Sequence, residues 1–347
     1  MKRIAYIELD THAELAQNFF ELTSEMQGIA VDFYFSEKIY KFLQITGDNI
    51  HLTDYTELLE RLKKEKYELV IIGTVHRHFN FYNAIVRSYN TAIVVHNLNF
   101  TKASGWQLFK SIFKKDRKYR LKLFLKEGLL DAANVYKKSK YLFGIDELTA
   151  KQNDLRFLPI YFNRFKSENP ESDVITIVVP GAVSQQRRDY KSFLEKLRDF
   201  KSTGLNYEVI LLGKASEDEI ESLNKIIDQI PQFVNIKYFK EKVVQDEFDQ
   251  WMSKADVLYC PIQTESEFFS VKEIYGKTKI SGNIGDAIKY GKPAIFPATY
   301  RSDLKFIIEE KTDLQSQFIE VKNGTYDFSS YSQNKISDRL KEVLEKL

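Results

Sequence analysis

The stretch YGKTKISGNIGDAIKYGKPAIFP, residues 275–297, decides how the second half of this chain is read. A glycine- and lysine-rich loop enters a short helix expected over 283–290, then a Gly-Lys-Pro turn, then a buried strand over 294–296. Helix, tight turn and apolar strand in that order make one step of a parallel sheet, whose strands are joined by crossover helices. A helix start offers backbone N–H groups and the positive end of the dipole, so it attracts phosphate. Gly282 and Gly285 permit close backbone approach there, and Lys277, Thr278, Lys279 and Ser281 supply charge and hydroxyl groups, with Asn283 beside them. A diphosphate suits such a loop, and so does a plain basic loop before a glycine-relaxed helix. Asp286 in the first turn accepts bonds from a ribose or simply caps the helix.

The same alternation extends in both directions. In the second half, strands are expected at 174–179, 208–212, 234–239 and 257–261, with helices at 189–200, 217–230 and 246–254. In the first half, strands at 4–9, 29–35, 69–73 and 92–95 alternate with helices at 13–26, 55–66 (capped by Thr53) and 80–89, and strand-like runs follow at 141–144 and 157–162. Between the halves lies NRFKSENPESD, residues 163–173, polar and without apolar period, which reads as a linker. A terminal helix over 337–347 puts Leu340, Val343, Leu344 and Leu347 on one stripe. The expected architecture is α/β, with two doubly wound Rossmann-like domains facing a cleft: residues 1–163, residues 174–330, and a C-terminal helix over 331–347. In such sheets ligands sit at the carboxyl ends of the strands.

At 347 residues the chain exceeds one ordinary core, which agrees with two domains. A formal charge of +2 gives no reason to expect nucleic acid as a partner. The single cysteine, Cys260, excludes an internal disulfide and a cysteine zinc cluster. The opening MKRIAYIELDTHAEL is broken by Glu8 and Asp10, unlike a signal peptide, and no run reaches the roughly 18 apolar residues of a membrane span. The expected place is the cytoplasm, with the inner face of a membrane as a peripheral site. No P-loop, metal-binding or nicotinamide fingerprint occurs, so neither a metal nor a cofactor is expected.

Several segments, in order, resemble the second domain of bacterial GT-B glycosyltransferases. Residues 275–297 resemble their donor-binding loop, helix and turn. PGAVSQQRRDYKSFL (180–194) resembles their first βα turn, VILLGKA (209–215) the second strand and its glycine turn, and NIKYFKEKVVQDEFDQWMSKADVLYCPI (235–262) the base-side strand and the strand before the donor loop. The resemblance implies a nucleotide-sugar co-substrate, with Gly181, Arg187, Arg188, Lys277, Thr278, Lys279, Ser281, Gly282, Asn283 and Asp286 near its diphosphate. It implies Tyr238 and Phe239 near its base. The retaining members carry two glutamates eight positions apart. Here Asp286 and Thr278 hold those places, so no retaining mechanism is implied.

In the first half, His96 follows a strand and is the first choice for a general base, since histidine titrates near neutrality. His76, His78, Asp10 and His12 also follow strand ends. Residues 102–126 hold nine basic residues against Asp116, interleaved with Trp106, Phe109, Phe113 and Phe124. Such a segment either lies on an anionic membrane or packs as core helices with a solvated basic face. The expected function is sugar transfer from a nucleotide diphosphate donor to a saccharide or lipid-linked acceptor, in surface polysaccharide or glycan synthesis. The rivals are a sugar-nucleotide epimerase of the same fold and a non-catalytic scaffold.

Overall fold

Near-continuous apolar runs become strands covered on both faces, as parallel sheets require. A computed structural model describes residues 1–43, 45–114, 116–165 and 172–347; part of the expected linker, 166–171, lies outside the described residues. The first sheet contains β1 (Lys2–Glu8), β2 (Ile29–Phe35), β3 (Ile50–Leu52), β4 (Leu69–Ile72), β5 (Thr91–Val94), β6 (Tyr141–Gly144) and β7 (Arg156–Phe157). They pair in parallel in the order β3-β2-β1-β4-β5-β6-β7. Ile7, Val70, Ile72 and Ile93 pack there on Phe79, Tyr82 and Ile85 of the helix Phe79–Ser88.

The second half supplies β8 (Val174–Pro180), β9 (Asn206–Lys214), β10 (Val234–Phe239), β11 (Val257–Tyr259), β12 (Glu265–Phe268), β13 (Val271–Ile274), β14 (Ala294–Phe296) and β15 (Ile307–Glu309). Six of these form a parallel sheet in the order β10-β9-β8-β11-β14-β15. Its core joins Ile177, Val179, Val209 and Leu211 to Phe193, Leu197 and Phe318. Both sheets reverse direction beside their first strand, which creates a topological switch point in each.

The two compact units do not follow the chain as simply as the alternation implies. One comprises Met1–Tyr161, Glu267–Ile280 and Gln333–Leu347; the other comprises Phe162–Ser266 and Ser281–Ser332. Residues 267–280, expected in the second domain, therefore belong to the first unit, because β13 and the loop after it cap a helix there. The turn before helix Leu58–Lys64 is set by Asp54, whose carboxylate accepts from the amides of Thr56 and Glu57, and not by Thr53. Strand β3, the β12–β13 hairpin, β15 and the helix Leu314–Lys322 are additions to the sequence reading.

Candidate functional sites in the two units

In the second unit the site grows from the end of β8. Gly181 has φ of 102°, and a Cβ there would lie 2.5 Å from Arg188 Nη2. Only glycine leaves room for that guanidinium against the backbone. A Cβ at Gly213 in β9 would fall 2.3 Å from the Gly181 carbonyl oxygen, so the two strand ends also depend on a bare backbone. Arg188 Nη1 donates to the Ala182 carbonyl at 3.2 Å, and Nη2 to Asn283 Oδ1 at 3.2 Å. Its Nε–H is buried with no hydrogen-bond partner among the described residues.

Asn283 sits in the first turn of the helix Gly282–Tyr290, capped by Ser281, whose Oγ accepts from the Asn283 amide. The Asn283 side-chain amide donates to Asp286 at 2.9 Å and to the Pro180 carbonyl at 3.3 Å. Asp286 thus orients Asn283, which in turn holds Arg188. A Cβ on Gly282 would meet no atom within 4 Å, so the helix start is open on that side. Gly181, Arg188, Ser281, Gly282, Asn283 and Asp286 are together; Arg187 lies nearby with an exposed side chain. Tyr238 and Phe239 end β10, Tyr238 resting partly on the core and Phe239 under the Lys237 ammonium at 4.9 Å. A cavity of about 610 Å³ that reaches Lys240, the residue after Phe239, is lined by Lys214, Ile220 and Lys240 together with Glu217, Glu221 and Glu241.

Lys277, Thr278 and Lys279 belong to the first unit. There the Thr278 hydroxyl accepts from the Ile274 amide at 2.8 Å, and the Thr278 carbonyl accepts from the Leu98 amide at 2.8 Å. Lys279 bridges to Asn97 and places its ammonium 5.1 Å from the Tyr275 ring centre. The reassignment has a physical cause: β13 carries Glu273, fully buried, which accepts from the amides of Asn99 (3.2 Å) and Phe100 (2.9 Å). Those amides start the helix Leu98–Thr101 and have no partner within it.

Lys279 lies beside three imidazoles. His12 and His96 stack with centres 3.9 Å apart and planes at 4°, and His76 meets both edge-on at 5.7 and 5.8 Å. His96 Nε2 donates to the Gly73 carbonyl at 2.9 Å, which fixes the tautomer and leaves Nδ1 as the acceptor in the neutral ring. His76 Nε2 is buried without a partner among the described residues. Burial first, then His96 and Lys279, push His76 down to about 3; burial and Lys279 push His96 down to about 4, against the Gly73 bond. His12 keeps an open edge, so the two inner rings carry this argument.

His78 and Asp10 are engaged elsewhere. His78 stacks on Tyr55 and its Nε2 lies 3.7 Å from Glu127, which Arg77 grips with two bonds. Asp10 accepts the Tyr55 hydroxyl. One residue at this site escaped the sequence reading. Glu8 ends β1 fully buried, accepts the Thr74 hydroxyl at 2.7 Å and the Asp10 and Thr11 amides at 3.2 Å, and burial pushes its carboxyl up to about 8. The signal was an acid inside an apolar run, IAYIELD.

No protein-family model matches this sequence, and no curated protein matches it. Solved structures do match in shape. A glycosyltransferase from Rickettsia africae aligns with a TM-score of 0.60 and 12% identity over 99% of this chain and 98% of that one. A lipopolysaccharide outer core galactosyltransferase, WaaB, aligns with a TM-score of 0.56 and 12% identity over 100% of both. An alpha-glucosyltransferase, solved in complex with UDP and a 13-mer DNA, aligns with a TM-score of 0.54 and 13% identity over 100% of this chain and 99% of that one. With two parallel sheets, each reversing beside its first strand, the chain has the fold of the GT-B glycosyltransferases.

Proposed function

We propose that the chain transfers a sugar from a nucleotide diphosphate donor to a saccharide or lipid-linked acceptor. One observation carries the reading: Arg188 is held over Gly181 with a buried N–H to spare, against the start of the helix Gly282–Tyr290. A guanidinium with unused donors beside a helix N-terminus suits the phosphate oxygens of a leaving nucleoside diphosphate. Such charge-assisted donors act without a metal by neutralising charge that develops as the glycosidic bond breaks. In the first unit His96 Nδ1 is the acceptor for the proton of the attacking hydroxyl, with the Gly73 carbonyl fixing the ring. Lys279 stands beside the imidazoles of the first unit and Lys277 is exposed there, and this reading gives the diphosphate to Arg188, Ser281 and the helix start. Arg187, Tyr238 and Phe239 remain donor-side residues in this reading.

Calorimetry with uridine and other nucleoside diphosphates tests it. Each charge-assisted bond contributes about 1.5–3 kcal/mol, so Arg188→Ala should weaken binding roughly ten- to a hundred-fold. Unaltered binding in that variant, with its melting curve unchanged, sinks the assignment. The non-catalytic rival draws on the incomplete carboxylate pair, since a threonine, Thr278, stands eight residues before Asp286. Nucleotide binding without turnover on any acceptor would favour it; a product formed from donor alone would favour the epimerase.

A further inference from the structure

The helices Gly105–Ser111 and Arg117–Glu127 bury little of their apolar content. Trp106 is 63% exposed, Phe113 61%, Leu125 68% and Leu121 46%, although Leu108, Ile112 and Leu123 in the same segment are fully buried or nearly so. The exposed groups are contiguous. Trp106 stacks on Phe109 with centres 5.8 Å apart, and Phe109 meets Phe113 at 5.5 Å and Phe124 at 5.9 Å. Phe124 shares a helix face with Leu121 and Leu125, so one apolar patch runs across both helices. Monomeric surfaces seldom leave such patches without a partner.

Charge surrounds the patch. Lys118, Lys122 and Lys126 recur every fourth residue and form the next stripe of the second helix. Lys110, Lys114 and Arg117 are exposed at the other helix and the turn, and Lys110 lies 4.9 Å from the Trp106 ring centre. The acids cancel few of them: Glu127 is buried against Arg77 with Lys122 Nζ 4.0 Å away, and Asp116 is the one exposed acid among the described residues of these helices. Arg120 is withdrawn from the surface, donating to the Ser111 carbonyl and the Ser270 hydroxyl.

We infer that this face docks on an anionic lipid bilayer, with Trp106, Phe113, Leu121 and Leu125 among the acyl chains and the lysines at the headgroups. The chemistry favours lipid over nucleic acid, because the exposed apolar groups include the aliphatic Leu121 and Leu125 beside Trp106, Phe113 and Tyr119, and Trp106 is stacked on Phe109. Interfacial helices combine apolar insertion with attraction to anionic headgroups, and the second component is screened by salt. The inference goes beyond the nucleotide site and does not depend on it.

Sedimentation with phosphatidylcholine vesicles, with and without phosphatidylglycerol, is the test. The full-length protein should pellet with the anionic vesicles at low salt and leave them as salt rises. Both Trp106→Ser/Leu125→Ser and Lys118→Glu/Lys126→Glu should reduce binding at least tenfold, with melting curves unchanged because every altered side chain is exposed. In a Trp251→Phe background the remaining Trp106 emission should shift to the blue on binding. Equal, weak binding to both vesicle types overturns the inference, as does a charge variant that binds as well as wild type. So does concentration-dependent dimerisation abolished by Trp106→Ser/Leu125→Ser, which would make a second copy the occupant.

Discussion

Glu8 is neutral where a charged carboxylate is the default, and His76 and His96 stay neutral well into the acid range where an exposed imidazole would be charged. Burial raises Glu8 to about 8, far above an exposed carboxylate. For an acid whose folded pKa is raised, the folded state binds the extra proton between about 4.5 and 8, so stability is greatest at low pH and falls as pH rises through that window. Glu8→Gln keeps the shape and an acceptor for the Asp10 and Thr11 amides while its amide donates to the Thr74 hydroxyl. It should therefore melt at a higher temperature than wild type at pH 8 and differ little at pH 5; the reverse ordering would sink the neutral-Glu8 argument. His96, held down to about 4, should give an acid limb of kcat/KM near pH 4 instead of the usual histidine value near 6.5. These residues were only half legible in the sequence. Strand-end positions pointed to His96 and His76, but the stacking of His12 on His96 and the arrival of Lys279 depend on contacts between distant segments.

The β12–β13 hairpin carries the loop at 275–280 into the first unit. Its turn uses Phe269 and Ser270 with φ of 47° and 61°, a left-handed pair that hairpins usually assign to asparagine and glycine. No turn signal therefore marked it, and EFFSVKEI was read as neither strand nor hairpin. What fixes it is non-local: Phe268 packs edge-on against Phe100 at 4.8 Å, and Glu273 supplies the missing acceptors of the helix Leu98–Thr101. Glu273→Ala should leave two N–H groups without acceptors, each costing about 1–3 kcal/mol, and lower the melting temperature by several degrees. Glu273→Gln should recover part of that loss, since its amide oxygen still accepts; an unchanged melt in Glu273→Ala would remove the capping role. In the second unit, Gly213→Ala forces a Cβ into the Gly181 carbonyl and should destabilise by roughly 1–3 kcal/mol in chemical denaturation. The strands and helices of that unit were largely legible, because each apolar run and its following amphipathic helix are local signals.

On the scale of the whole chain, the units are interleaved in sequence. The alternation of strands and helices conveys two parallel sheets but not where the closing segments go, since a hairpin and a terminal helix bear no label for the sheet that receives them. The helix Gln333–Glu345 buries Ile336, Leu340 and Leu344 in the first unit, at 1% exposure or less. Lys2 Nζ donates to the Leu344 carbonyl at 2.9 Å, the Ser337 hydroxyl to the Leu22 carbonyl at 2.8 Å, and the Tyr141 hydroxyl to the Leu347 carbonyl at 2.9 Å. Each buried aliphatic side chain stabilises by about 1.5–3 kcal/mol, which together rivals the net stability of a typical domain. A fragment of residues 1–165 lacks this helix, the Glu273 cap and the Phe268 contact. It should show helical signal with a broad or much lowered thermal transition, and adding a fragment of residues 172–347 should restore a sharp one and bring the two down together in a tag pull-down. A fragment 1–165 that melts as cooperatively as the intact chain, and gains nothing from its complement, would mean that the first half carries its own core and that the returning segments are accessories.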